Sequence, residues 1–280
     1  MIKKTRFDGK LIKDLPPFTR MLPYLMKSKS ESLIFFEQDL DVTNTLAAVK
    51  KINKKLIKEK TILTLFGVVI TAAVRTLSER PGLNRFISGY RYWQRNEIQI
   101  NFVAKREITD GGEEVNVKIS FEPFEPLERA AKKIHSEVKK AVSEGTSTDT
   151  LIDFVMRLPS FMIKLIVGGM NFLDHHNLMI RSMIDTDPMW CSVFMTNVGS
   201  FGLESPFHHL YERGNCPIFV SVGKVREEFI MNKHGEVEKK LMLRLRYTFD
   251  DRIADGVYMG NSLNILKSYI ENPELLLSSV

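Results

Sequence analysis

The stretch Phe249-Asp250-Asp251-Arg252-Ile253-Ala254-Asp255-Gly256 decides how this chain is read. It follows Lys240-Leu-Met-Leu-Arg-Leu-Arg-Tyr-Thr-Phe249, where apolar and polar residues alternate as on a half-buried strand. It precedes Val257 to Ile270, which reads as a closing helix stopped by Asn272-Pro273. The octapeptide is therefore the corner between the last strand and the last helix. Gly256 suits a turn or a close backbone approach there. Asp251 puts a carboxylate at that corner, with an ordinary pKa near ~4 unless burial raises it.

Working back along the chain, Glu228 to Met231 and Lys240 to Phe249 pair as a hairpin through Asn232-Lys-His-Gly235. Pro217 to Lys224 and Trp190 to Val198 read as further strands. Leu151 to Leu173 is apolar but interrupted by Asp153, Arg157, Pro159, Lys164 and Gly168-Gly169, which argues against one membrane span. Two short buried helices or a hydrophobic lid fit it better, as core or subunit contact; the lining of a long acyl-chain pocket is the other reading. Pro126 to Glu144 is a helix with Pro at its start and Gly145 at its end. Strands are expected at Arg91 to Gln94, Ile98 to Ala104 and Glu114 to Phe121, the last two joined by a turn at Asp110-Gly111-Gly112. Thr61 to Arg80 is a helix apolar on most sides, read as buried core and stopped by Pro81-Gly82. Ser32 to Val42 is a strand, and Thr43-Asn44 caps the helix after it. Residues 1–30, with Pro16-Pro17 and Pro23, read as an extended arm. Residues 31–280 then form one domain, an α/β (α+β) sandwich with a large mixed sheet flanked by helices.

A chain of 280 residues with 44% hydrophobic content can bury a sizeable core. Its formal charge of +6 is modest. The lysines at 50–51, 54–55, 58 and 60 make either a solvated helix face or an attraction for anions such as CoA phosphates. No nucleic-acid motif accompanies them, so nucleic acid is not an expected partner. Cys191 and Cys216 lie outside any Cys-x-x-Cys spacing and fit reduced, buried thiols in a cytoplasmic protein. No signal-peptide core is seen at the N-terminus.

Four stretches, in order, resemble the catalytic domain of the acyltransferase (E2) subunits of 2-oxo acid dehydrogenase complexes. They are Glu37-Gln-Asp-Leu-Asp-Val-Thr-Asn44, the helix Phe66 to Leu77 with Glu79-Arg80-Pro81-Gly82-Leu83-Asn84, Phe194-Met-Thr-Asn-Val-Gly-Ser-Phe-Gly202, and the octapeptide above. The octapeptide is similar to the family's Asp-His-Arg-x-x-Asp-Gly signature, shared by chloramphenicol acetyltransferases as His-x-x-x-Asp-Gly. The resemblance spans about residues 30 to 275 and implies the chloramphenicol acetyltransferase-like fold, with trimers that place active sites between subunits. No lipoyl or peripheral-subunit-binding domain is seen.

By resemblance, the activity is transfer of an acyl group from a CoA thioester to a thiol, hydroxyl or amine. The general-base histidine of the family falls at Asp251 here. The family's oxyanion serine falls at Thr196, which keeps a hydroxyl; a plain strand threonine is the competing reading. Asp255 would ion-pair to shape the loop, with Arg20 or Arg252 as partner. Asn197 and Gly199 would set the turn after the strand. His208 or His209 would substitute for the lost base, or else serve as packing beside Phe207 and Tyr211. Asp174-His175-His176 is not expected to bind a metal. CoA or acyl-CoA is expected as substrate, and a homotrimer or larger assembly as the state. The alternative is an inactive E2-like scaffold or binding subunit. Membrane contact is not expected; a lipid-surface binder using residues 151–173 and the lysine-rich helix is the weakest reading.

Overall fold

The computed structural model describes residues 6–107, 109, 111–144, 155–232 and 234–278. The alternation that opens the sequence reading becomes Val237–Asp250 (β9). It lies antiparallel between Leu33–Asp41 (β2) and Ile218–Met231 (β8). Val193–Asn197 (β7) runs parallel to β8 and to Ile98–Lys105 (β5), and Glu114–Phe121 (β6) completes the edge. The six-stranded order is β2-β9-β8-β7-β5-β6, a mixed sheet as expected.

Strand periodicity sorts these residues onto two faces. Leu243, Leu245, Tyr247 and Phe249 of β9 join Ile218, Val220 and Val222 of β8 and Val193 and Met195 of β7 in the main core. That core is covered by Thr43–Leu56 (α2), Leu65–Glu79 (α3), Leu127–Glu144 (α4) and Gly256–Glu271 (α7). α3 starts where the Thr64 hydroxyl accepts from Gly67 N at 3.0 Å. It is buried from Gly67 to Leu77, as its all-round apolar pattern requires. The one charge in that buried stretch, Arg75, donates through Nη2 to the Ser278 carbonyl at 2.5 Å, while its Nε has no partner among the described residues. The alternate set, with Phe194 and Thr196, Phe219 and Ser221, and Arg244, Arg246 and Thr248, faces away from the helices.

Five expectations need correction. The N-terminal arm is not extended throughout. Gly9–Leu11 (β1) joins Arg91–Arg95 (β4) and Arg85–Ser88 (β3) in a three-stranded sheet, and Pro17–Leu25 is a helix (α1). Pro17 is tolerated in the first turn, where its missing N–H costs nothing. Pro23 deprives the Thr19 carbonyl of its helical partner, and the Tyr92 hydroxyl donates to that oxygen instead at 2.8 Å. Second, Thr43 is inside α2 and does not cap it; its N–H donates to Asp41 Oδ1 at 3.0 Å, and its hydroxyl accepts from Leu241 N. Third, the segments at 217–224 and 228–231 are one strand, because the register shift between Val222 and Val225 absorbs the break in alternation. Fourth, the apolar segment is not core. Ser160–His175 is a helix (α5) with no buried side chain, set off by Pro159 from helical Val155 and Met156; residues 151–154 lie outside the described residues. Fifth, the strand expected from Trp190 begins only at Val193, after the short helix Arg181–Thr186 (α6). The turn residue Asp110 and the loop residue Lys233 also lie outside the described residues.

Candidate functional site

The sheet face turned away from the helices carries the chemistry-bearing side chains. Thr196 is half-buried near the end of β7, and its hydroxyl has no hydrogen-bond partner among the described residues. It pairs in register with Ser221 of β8, whose buried hydroxyl is also unpartnered, and Ser221 pairs with Arg246 of β9. Two residues back on each parallel strand, Phe194 and Phe219 stack with ring centroids 5.3 Å apart. After β7 the chain turns through Val198–Phe201, which Asn197 opens by accepting from Ser200 Oγ at 2.7 Å. Gly199 is required there: a Cβ would meet the Gly223 carbonyl oxygen at 2.2 Å.

His208 lies over this face. Its ring stacks on Phe219 with centroids 4.0 Å apart and planes within 9°. Its Nδ1 is 2.7 Å from the His209 carbonyl oxygen. A carbonyl only accepts, so Nδ1 carries the proton and Nε2 keeps a lone pair. Burial pushes the imidazole pKa down, so the neutral ring prevails. His209 is exposed and its Nδ1 bonds the Leu210 carbonyl at 3.1 Å.

The loop from Ser205 to Gly214 has no regular structure, yet it is pinned along its length. Arg246 donates to the Ser205 carbonyl at 2.7 Å, and the Thr248 hydroxyl donates to the His208 carbonyl at 2.5 Å. Lys29 Nζ donates to the Tyr211 and Gly214 carbonyls, both at 2.8 Å. Glu212 accepts from Ser30 N at 2.7 Å. Burial pushes the Lys29 pKa down against the raising charges of Cys216, Asp250 and Glu212. These bonds preorganise His208 before any ligand arrives. Sequence reasoning missed Lys29, Ser205 and Ser221; only the repeated spacing Phe194-x-Thr196 and Phe219-x-Ser221 on two strands signalled the last.

Asp251 lies at the other end of the sheet. Thr196 shares its cross-strand row with Arg246, and Asp251 is five residues beyond Arg246, about 16 Å along the strand direction and two strands across. Asp251 N donates to the Ser32 carbonyl at 2.8 Å, while its half-buried carboxylate has no partner among the described residues. Burial raises its pKa, and the charge of Asp250 adds to this. Within one chain, Thr196 and Asp251 do not meet.

The expected ion pairs of Asp255 are not formed. Arg252 is committed to Asp250, through Nε to Oδ1 at 2.8 Å and Nη2 to Oδ2 at 2.7 Å, and to the Met26 carbonyl at 2.8 Å. Arg20 is exposed on α1 and has no ion pair among the described residues. Asp255 instead caps α7, accepting from Tyr258 N at 2.9 Å, with Gly256 as the first helical residue. Arg252 also borders a polar cleft of about 310 Å³ with Lys29, Tyr90, Asp174 and Trp190. There Asp174 is taken by Arg6 at 2.5 Å and by Ser88 at 2.9 Å. His175 and His176 are exposed beside it. Cys191 and Cys216 are both free and buried under the loop.

A family model of the 2-oxoacid dehydrogenases acyltransferase catalytic domain matches residues 191–278. That segment holds Thr196, His208 and Asp251. Among solved structures, the cubic core of the pyruvate dehydrogenase multienzyme complex is 14% identical, covers 95% of this chain and 94% of its own, and superposes with a TM-score of 0.64. The dihydrolipoamide acetyltransferase of Azotobacter vinelandii is 16% identical over 95% of this chain and 94% of its own, TM-score 0.63. The catalytic mechanism of that enzyme has been examined at a serine, a histidine and an asparagine. A chloramphenicol acetyltransferase is 11% identical over 96% of this chain and 100% of its own, TM-score 0.53. The resemblance read from the four sequence stretches is borne out, and the fold is that of E2 cores and chloramphenicol acetyltransferase.

Proposed function

We propose that this chain is an acyl-CoA-dependent acyltransferase in which His208 is the base and Thr196 the oxyanion donor. The observation that carries the reading is His208 itself: a neutral imidazole, proton fixed on Nδ1, on the same sheet face as an unpartnered hydroxyl. Nε2 of His208 removes the proton of an acceptor thiol, hydroxyl or amine. The acceptor attacks the thioester carbonyl carbon, and the Thr196 hydroxyl donates to the oxyanion. Collapse breaks the C–S bond, and the imidazolium returns the proton to the departing CoA thiolate.

Asp251, at the far end of the sheet, is not the base of this site within one chain. A second copy laid on the open face would cover Phe35, Phe207 and Tyr211, which are 48%, 47% and 37% exposed. Burial of such a patch favours assembly. We infer a homotrimer, with a larger assembly as a further step; the core architecture of the pyruvate dehydrogenase neighbour supports it. In the trimer a neighbour's Asp251 would line the same site and orient an acceptor.

The test is release of CoA thiol from short and long acyl-CoAs, with dihydrolipoamide, alcohols and amines as acceptors, for wild type, His208→Gln, Thr196→Val and Asp251→Ala. Turnover lost in His208→Gln but retained within severalfold in Asp251→Ala is expected. Turnover lost in Asp251→Ala and kept in His208→Gln would move the base to Asp251. An inert wild type that gains activity as Asp251→His would establish the inactive-scaffold reading instead.

A further inference from the structure

α5 presents an apolar surface that the chain leaves uncovered. Phe161, Leu165 and Phe172 recur on one side of the helix and are 71%, 73% and 59% exposed. The opposite side, with Met170 and Leu173, packs on Ile184 and Trp190. α1 presents a second such surface, with Phe18 at 65% and Leu25 at 57% exposed. Rings join the two. Tyr24 of α1 stacks on Tyr90 at 4.9 Å, and Tyr90 meets His175 of α5 edge-on at 5.3 Å. The two apolar surfaces are thus bridged by Tyr90, beside the polar cleft that lies between the helices.

The charge on these surfaces is mainly positive. Arg20 on α1, Lys27 just past it, Arg157 just before α5 and Lys164 within it are exposed, and none has an ion pair among the described residues. The only acid in either helix is Asp174, already held by Arg6 and Ser88. No helix of the described residues is long and apolar enough to cross a membrane.

We propose that α1 and α5 form a docking face for an anionic phospholipid surface, with α5 lying in the plane of the headgroups. The apolar stripe enters the acyl boundary and the four cations meet lipid phosphates, the combination that holds peripheral helices at interfaces. A second copy of this chain is a poorer occupant, because two faces on which exposed cations outnumber acids repel, Glu31 beside Lys27 being the flanking acid. The sequence favours core or subunit contact for this apolar segment and leaves a lipid-surface binder as its weakest reading; the exposure of α5 is what argues for the latter.

The experiment is flotation of the full chain with vesicles of phosphatidylcholine alone and of phosphatidylcholine with about one-third phosphatidylglycerol. Wild type should float with the anionic vesicles only, and less as salt is raised. Phe161→Ser with Leu165→Ser should weaken partitioning by roughly tenfold or more. Arg157→Glu with Lys164→Glu should weaken it too, while Phe229→Ser, an exposed apolar position on β8, should not. Circular dichroism would confirm that each variant is folded. Wild type remaining unbound to both vesicles overturns the proposal, as does undiminished flotation of Phe161→Ser with Leu165→Ser. A loss of oligomer mass in that variant by light scattering, without wild-type flotation, would assign the face to protein instead.

Discussion

The two faces of the six-stranded sheet are built from the same strands and differ in what covers them. The helix-side face is closed by α2, α3, α4 and α7 over aliphatic residues, with Leu40, Ile70 and Leu245 fully buried. The open face carries aromatic rings, unpartnered hydroxyls and arginines; the pinned loop that holds His208 crosses it, and at its β6 edge Lys118 donates to the Ile184 and Asp187 carbonyls. One face supplies stability, while the other leaves polar atoms unsatisfied at the place where a ligand or second copy would satisfy them. Unpaired buried hydroxyls carry a real cost, which a functional site repays by using them.

The largest separation between the faces should come from His208→Gln. Loss of a general base is expected to lower kcat/KM by about 10³-fold, with little change in Tm. Steady-state kinetics beside thermal melts would check both halves; a large fall in Tm would mean that the open face is also structural. The next largest effect belongs to the buried pillar at the N-terminus. Arg6 bonds Asp8 at 2.8 Å, and Asn215 also donates to Asp8 at 2.7 Å. Burial would raise the Asp8 carboxyl, but the Arg6 hydrogen bond and the charges of Arg6 and Arg95 hold it below its ordinary value. Its folded pKa is therefore below its unfolded one. The stability it contributes is present above pH ~4 and is lost as pH falls through the folded value. Asp8→Asn should cost about 3 kcal/mol at neutral pH by stranding buried cations, with the gap to wild type closing in acid. Urea melts across that range would check it.

Smaller again is Thr196→Val, which removes the oxyanion donor but keeps the strand shape. About 10²-fold in kcat is expected, with Tm nearly unchanged. The smallest effect is at Asp255. Its observed role is the cap of α7, so Asp255→Ala should cost about 1 kcal/mol in a denaturant melt, whereas Asp255→Ser should cost less. A rate loss far exceeding the stability loss would restore Asp255 to the site.

How much of this was legible follows from which forces act locally. Alternation in β9 and the buried run of α3 are local patterns, and the sequence reading located both strand and helix. The octapeptide pointed to the right fold and also drew the eye to Asp251. The proposal moves the base to His208, whose stack on Phe219 exists only once β7 and β8 pair in parallel. Nothing near Lys29 in sequence announces that its ammonium will hold two carbonyls of a loop some 180 residues away. α1 was missed since Pro23 argues against a helix unless a tyrosine elsewhere takes up the orphaned carbonyl. The α5 segment reads as buried helices or a lid, in core or subunit contact, because an apolar pattern does not distinguish a buried helix from one left open for a partner.

The central claim is that the working base is the His208 imidazole and not the Asp251 carboxylate. The most direct measurement is the pH dependence of kcat/KM for CoA thiol release in wild type and Asp251→Asn. Because burial lowers the His208 pKa, activity should fall away in acid with a midpoint below the ordinary histidine value of ~6.5, in both proteins alike. An acid limb that disappears or moves in Asp251→Asn, while persisting in His208→Gln, would contradict the account.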